Sequence, residues 1–462
     1  MYRRRLSLTV ISAAVVLLLT GCPSYPEVHG KPGAAGVRDP LFGTLGNGGY
    51  DVSSYSLVLD YDPPTGRLSG TADVFARATQ DLSAFNLDLH GLAIESVMVN
   101  NRKAVFDRVG DEVTVHMDKH VAKGAPVRAL VRYAGSPRTI TDADGSKEGW
   151  LRTVDGALAV GEPTGSMTWF PGNHHPSDKA TYDVKITVPK GLQAISNGVL
   201  HDRYPTGDRT TFFWKSADAM PSYAAMLAIG RYNMTSSAVP RTGQPVVTAV
   251  APSVAKESAE VLARIPEVMN WAAKKFGRYP FGAFGAIVVP KGQLDYALET
   301  QTRPVFPIDH LDEDTLVHEV AHQWYGNSVT LKTWKDMWLN EGFATYAEWL
   351  WNEDYNNTSA QERFEAAFAL DANWEFAPAD PPSAAQVSDA PVYERGAMVL
   401  HKVRQALGDK TFFRILPLWA QTHLHRNAST ADFTAYVEKM SGKDLDPLWD
   451  TWLYGNEKPK SP

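Results

Sequence analysis

From Tyr50 to about residue 240 the apolar residues fall at every second place in short runs. In Ser53-Ser54-Tyr55-Ser56-Leu57-Val58-Leu59-Asp60-Tyr61 the large apolar side chains Tyr55, Leu57, Leu59 and Tyr61 share one face of a strand. Pro63-Pro64-Thr65-Gly66 then turns the chain. Residues 85–89 and 113–117 alternate again, and 182–188, 210–214 and 223–229 read as later strands. Short strands between turn residues predict an all-β domain. After about residue 250 the period lengthens. Over 254–276, Val261, Leu262, Ile265, Val268 and Trp271 recur at helical spacing, while Glu257, Ser258 and Glu260 face solvent. Pro266 interrupts this run, so a kink or two shorter helices are expected. Residues 285–290 form a short apolar strand, and the remainder is mostly helical. The predicted fold class is α+β and multidomain: a β domain over 50–243, then a mainly helical domain over 244–458.

The N-terminus follows a different pattern. Arg3, Arg4 and Arg5 precede an apolar run from Leu6 to Leu19, which ends at Leu19-Thr20-Gly21-Cys22. That order is a signal peptide over 1–21, too short for a transmembrane anchor. Its end resembles the bacterial lipobox, which implies a lipid on Cys22 and anchoring to the outer face of the cell membrane. The Arg3-Arg4-Arg5-Leu6 start leaves both general secretory and twin-arginine export open. Residues 22–49, rich in Gly and Pro, read as a flexible tether. Cys22 is the only cysteine, so no internal disulfide can staple the fold. Losing the signal removes three Arg and no acidic residue, which moves the formal charge from −7 to −10. Such an acidic surface argues against nucleic acid as a partner.

The chemistry concentrates in His318-Glu319-Val320-Ala321-His322. Asp312, Glu313 and Asp314 suit a helix start and Gly326 a stop. On that helix His318 and His322 leave the same face, so two imidazoles can hold one zinc ion. Glu319 is then placed to take a proton from the attacking water. The third ligand is expected to be Glu341, in Asn340-Glu341-Gly342-Phe343-Ala344. The intervening segment lets the first helix end and a second, over 338–351, return antiparallel. Two His and a Glu leave one coordination position open, the pattern of catalytic zinc. Histidines four apart can also be a solvated helix face, but the downstream Asn340-Glu341-Gly342 favours the metal.

The stretch from His318 to Thr330 resembles the zinc motif of the aminopeptidase N family, also called M1 aminopeptidases, and Trp338 to Ala344 resembles its third-ligand segment. The resemblance extends from about Tyr50 to Gly455. It implies a saddle-shaped β domain followed by a thermolysin-like catalytic domain, and peptides with a free N-terminus as substrates. Val392-Tyr393-Glu394-Arg395-Gly396-Ala397 is similar to the segment with the family's catalytic tyrosine, which gives Tyr393 an oxyanion-binding role. Ala297-Leu298-Glu299-Thr300 stands where the family has Gly-Ala-Met-Glu-Asn, so Glu299 is expected to bind the substrate's α-ammonium. Here Tyr296 replaces Gly, Leu298 replaces Met and Thr300 replaces Asn, so affinity or side-chain preference is expected to differ. Glu162, in Gly161-Glu162-Pro163, matches the second amine-binding glutamate, although Val160 replaces the usual Gln. Taken alone, Glu162 and Glu299 could each be a solvated loop carboxylate. Asp336 and Glu348 also match family positions. Asp336 could orient a zinc histidine, and Glu348 lies two turns beyond Glu341, but both could equally be structural.

Larger family members continue into a long helical domain after the equivalent of Trp449. Without it a more open site is expected, accepting longer or bulkier peptides. Two other readings use the same residues: an endopeptidase on the same zinc scaffold, or a non-catalytic peptide-binding lipoprotein. Retention of Glu319 and Tyr393 argues against the second. The chain has no Gly-x-Ser-x-Gly, and its one Cys lies in the lipobox, so a serine or cysteine nucleophile is unsupported.

Overall fold

The computed structural model describes residues 29–240 and 242–461; the expected signal segment and Cys22 lie outside the described residues. The alternating run forms the strand Tyr50–Asp62, which turns at Gly66 (φ 69°) and pairs antiparallel with Arg67–Ala78. A bulge between Val52 and Ser54 shifts the register. It puts Val52 on the same buried face as Tyr55, Leu57, Leu59 and Tyr61 despite their odd spacing. These strands lie within an eleven-stranded sheet. Lys179–Pro189 joins it parallel to Tyr50–Asp62, and Arg209–Pro221 follows antiparallel. A five-stranded sheet has Ala157–Val160 buried at its centre. The expected strand over 223–229 is shorter than predicted. Tyr223 falls in a one-turn helix, Ser222–Ala224, and the strand is Leu227–Gly230.

A four-stranded sheet couples the two halves of the fold. The hairpin Asn233–Ala238 and Pro245–Val250 leads into the parallel strands Phe284–Val289 and Val305–Pro307. Period-2 alternation splits its buried residues. Ile287, Val289 and Val305 pack into the core of the β half, while Phe284, Ala286, Val288 and Phe306 face the helical core. The main helices are α1 (Ala259–Ala263), α2 (Ile265–Phe276), α3 (Glu313–Ala321), α4 (Trp338–Tyr355), α5 (Ala360–Ala369), α6 (Gly396–Leu407), α7 (Asp409–Thr422) and α8 (Thr430–Ser441). The expected break near Pro266 is a separation into α1 and α2, with the proline in the first turn of α2, where its missing N–H is no loss. Among the described residues, no helix is long and apolar enough to cross a membrane.

The tether expected over 22–49 is corrected for its described part. Lys31–Pro32 pairs parallel with the strand Leu82–Asp88, and Gly48 N–H donates to Ala34 carbonyl oxygen at 2.9 Å. The glycines permit close backbone approach rather than freedom: a Cβ on Gly33 would lie 2.4 Å from the Gly48 carbonyl oxygen. Asp39 is buried and accepts from the N–H groups of Leu41 (2.8 Å), Phe42 (3.0 Å) and Trp334 (2.9 Å). Composition suggested a linker; a buried carboxylate with four polar partners, these three N–H groups and His175 Nε2, fixes it instead.

Candidate metal centre

Helix α3 starts where its acidic cluster predicts. The Asp312 carboxylate accepts from Thr315 N–H at 2.8 Å, and Glu313 and Asp314 occupy the first turn. The regular helix ends at Ala321, earlier than the expected stop at Gly326. His322 keeps helical angles (φ −55°, ψ −24°) as its cap, so both imidazoles still leave one face, with ring centroids 4.6 Å apart. Helix α4 brings Glu341 up in its first turn. The Glu341 Oε2 lies 3.2 Å from His318 Nε2 and 3.3 Å from His322 Nε2.

The second nitrogen of each ring is engaged elsewhere. His318 Nδ1 meets Glu348 Oε1 at 2.6 Å, and His322 Nδ1 meets the Tyr325 carbonyl oxygen at 3.1 Å. Both Nε2 atoms are therefore directed at Glu341, and the three donor atoms lie within 4.8 Å of one another. Two imidazole nitrogens and one carboxylate oxygen, each ring oriented from behind, fit a divalent zinc ion. Glu348 is thus a histidine-orienting residue. Asp336 is not: it accepts from Thr333 and from Thr430 N–H and Oγ1 and holds the start of α8 against the one-turn helix Trp334–Asp336 that precedes α4. That leaves Asp336 structural.

The electrostatics agree with a cation site. Burial would pull His322 down, but the charges of Glu341 and Glu299 outweigh it and push it up to about 9. Burial would raise Glu341, yet His322 and His318 hold it at about 2. Burial also pushes Glu319 up to about 8, against the pull of the two histidines. Its Oε2 is buried with no hydrogen-bond partner, and its carboxylate clusters with Glu299 and His322.

The other expected site residues converge on the same place. Glu162, Glu299 and Glu341 offer oxygens within 4.8 Å of one another. Glu162 Oε1 and Glu299 Oε1 are likewise buried without partners. Burial, then the charges of Glu299 and Glu341, hold Glu162 well above the ordinary carboxylate range. The backbone carries both. Asn327 Nδ2 donates to the Glu299 carbonyl oxygen at 2.6 Å. The buried Glu148 accepts from Thr164 N–H at 3.0 Å and Gly165 N–H at 2.7 Å, fixing the loop that presents Glu162. Glu148 carries no sequence signal of its own, and Asn327, although inside the His318–Thr330 stretch, gives no sign there of this role, which is made by a contact across the fold.

Tyr393 lies in a π-helical turn, Pro391–Arg395, ahead of α6. Gly342 of α4 and Gly396 of α6 meet there: a Cβ on Gly342 would lie 2.8 Å from Gly396 Cα. The close crossing brings Tyr393 alongside His318, ring centroids 6.1 Å apart and nearly parallel at 15°. Burial, then the surrounding carboxylates, raise its hydroxyl well above the usual range, so it stays a donor. All seven residues line one cavity of 660 Å³: Glu162, Glu299, His318, Glu319, His322, Glu341 and Tyr393. At its rim the Tyr296 hydroxyl donates to the Lys147 carbonyl oxygen at 3.2 Å, linking the altered 296–300 segment to the β half.

Comparison with known proteins agrees with this geometry. Residues 52–224 match the peptidase M1 N-terminal domain, and residues 308–452 match the peptidase family M1 domain. The fold is similar to the M1 zinc metallopeptidase from Deinococcus radiodurans, with TM-score 0.86 and 28% identity over 92% of this chain and 98% of that one. A mutant of that protein has been solved with a Tyr-Ser-Ala substrate. Among curated relatives, aminopeptidase N of Streptomyces lividans is 27% identical over 62% of this chain and 36% of its own length. Leucyl aminopeptidase of Saccharolobus solfataricus is 23% identical over 87% of this chain and 53% of its own. The chain thus spans about half or less of the length of these curated relatives. With both M1 domain models matched in order and the metal residues assembled in the second, the chain belongs to peptidase family M1.

Proposed function

We propose that the protein is an aminopeptidase that holds one zinc ion and removes the first residue from peptides. The observation that carries this reading is the placement of Glu162 and Glu299 beside Glu341, with partnerless buried oxygens. Glu162 and Glu299, held above their ordinary range, are short of positive charge, which a substrate α-ammonium supplies. With the ammonium pinned there, the peptide bond presented to His318, His322 and Glu341 is the first one.

Bound zinc supplies a Lewis acid that polarises the scissile carbonyl and acidifies water. Glu319 accepts the proton of the attacking water and passes it to the leaving amine. Tyr393 donates a hydrogen bond to the developing oxyanion. Glu348 and the Tyr325 carbonyl keep the histidine rings in register. Export with a lipid on Cys22 would place this cleft outside the cell membrane, facing peptides there.

The test is a pair of otherwise identical peptides, one with a free and one with an acetylated N-terminus. The acetylated peptide is expected to lose cleavage at the first bond. Equal cleavage of both would point to an endopeptidase and overturn the reading.

A further inference from the structure

One part of the cavity wall comes from outside both family-matched segments. Phe42 lines the cavity together with Met337, Glu162 and the metal residues, although it belongs to the N-terminal stretch that precedes residue 52. Its ring packs on Trp334, centroids 5.3 Å apart. Trp334 in turn packs on Tyr223 at 5.4 Å. The Tyr223 hydroxyl accepts from Asn340 Nδ2 at 3.3 Å, directly before Glu341. The Tyr223 backbone backs the loop of Glu162: a Cβ on Gly161 would lie 2.5 Å from its carbonyl oxygen. Phe42 thus lines the same cavity as Glu162 and Glu299, joined through Trp334 to the tyrosine that backs the Glu162 loop. The half-buried ring is tilted at 54° to Trp334, and it also lines the cavity.

The ring is held by Asp39. This carboxylate has 0% side-chain exposure. It accepts from Phe42 N–H and Leu41 N–H, and from Trp334 N–H of the helical half. It also meets His175 Nε2 of the β half at 3.1 Å. The same group thus fixes Phe42 and the tryptophan beneath it.

Resting on the aminopeptidase reading, we propose that Phe42 walls the pocket for the side chain of the first substrate residue and favours large apolar or aromatic side chains there, with Asp39 as its positioning residue. The first side chain leaves the carbon that bears the ammonium, so it must lie in the cavity that Glu162 and Glu299 share with Phe42. An aromatic wall rewards a large apolar side chain through buried area and gives alanine little.

The test measures kcat/KM of the zinc-loaded protein on leucyl-, phenylalanyl- and alanyl-naphthylamide for wild type, Phe42→Ala, Phe42→Leu and Asp39→Ala. Phe42→Ala is expected to lower the Leu/Ala and Phe/Ala ratios by about tenfold. Phe42→Leu should keep most of the Leu/Ala ratio while preserving packing. Asp39→Ala should lower both ratios as Phe42→Ala does, and the double variant should lower them no further. A uniform fall on all three substrates, or ratios unchanged from wild type, overturns the role of Phe42. An Asp39→Ala variant with wild-type ratios overturns the positioning role. If wild type cleaves none of the three, the aminopeptidase reading fails. Calorimetric binding of free L-leucine against glycine then decides Phe42 separately, with a preference lost in Phe42→Ala supporting the pocket and no change overturning it.

Discussion

Replacing Glu319 by glutamine is expected to lower kcat/KM by about 10⁴-fold while the protein keeps its zinc. The two side chains have the same shape, and the donor atoms that would hold the metal belong to His318, His322 and Glu341, so the cavity stays intact. Only the ability to accept a proton is lost. The same substitution should stabilise the metal-free protein, with a definite sign against pH. Glu319 is raised from 4.5 to about 8 in the fold, so its charged form is disfavoured there relative to the unfolded chain. That burden is absent at acid pH, grows as pH rises through this window, and is full above it. The gain in Tm of metal-free Glu319→Gln over metal-free wild type should therefore be larger at about pH 8 than at about pH 5. Thermal unfolding of both chelated proteins at the two pH values checks it. A variant that stays active, or that loses its zinc, would remove Glu319 from the role of base.

Replacing Glu341 by alanine is expected to abolish activity by a different route, through loss of the metal. Losing a group that merely orients a ligand costs 10–100-fold in metal affinity; losing a ligand itself should cost at least about 100-fold. Zinc content after dialysis should fall from one per chain towards none, which metal analysis measures. In wild type, zinc must displace protons from His322, which sits at about 9 without metal, so zinc affinity should rise steadily from about pH 6.5 to about pH 9. The stability consequence follows from the same shift. The raised His322 contributes stability that is fully present below 6.5 and is lost as pH rises through about 9. Metal-free Glu341→Ala should therefore be destabilised most at the acid end, where wild type holds the charged pair, and least near pH 9. Zinc retained at one per chain in the variant would show that the third donor is another carboxylate of the cluster.

The metal helices were legible from the sequence because their chemistry is local. Two histidines one helical turn apart share a face in any helix, and Asp312 caps the start by a bond three residues long. The strand from Tyr50 was legible for the same reason, its alternation being set by the pleat. Contacts made across the fold were not legible. Glu348 and Asp336 look alike as acidic residues near Glu341, yet one orients His318 and the other ties the start of α8 to the turn ahead of α4. Nothing in residues 29–49 marks Asp39 as buried; Gly and Pro there resemble a linker, and only the approach of Trp334 and His175 makes the segment part of the site. The roles of Glu148 and Asn327 escape notice because they act on backbone groups of residues distant in sequence.

The measurement that bears most directly on the account is mass spectrometry of the products from a synthetic decapeptide with a free N-terminus, incubated with the zinc-loaded protein and, in parallel, with chelator. The account predicts free amino acids and a series of peptides each shorter by one residue from the N-terminal end, absent with chelator. Internal fragments that retain the original first residue, or a series that persists after the metal is removed, would contradict it.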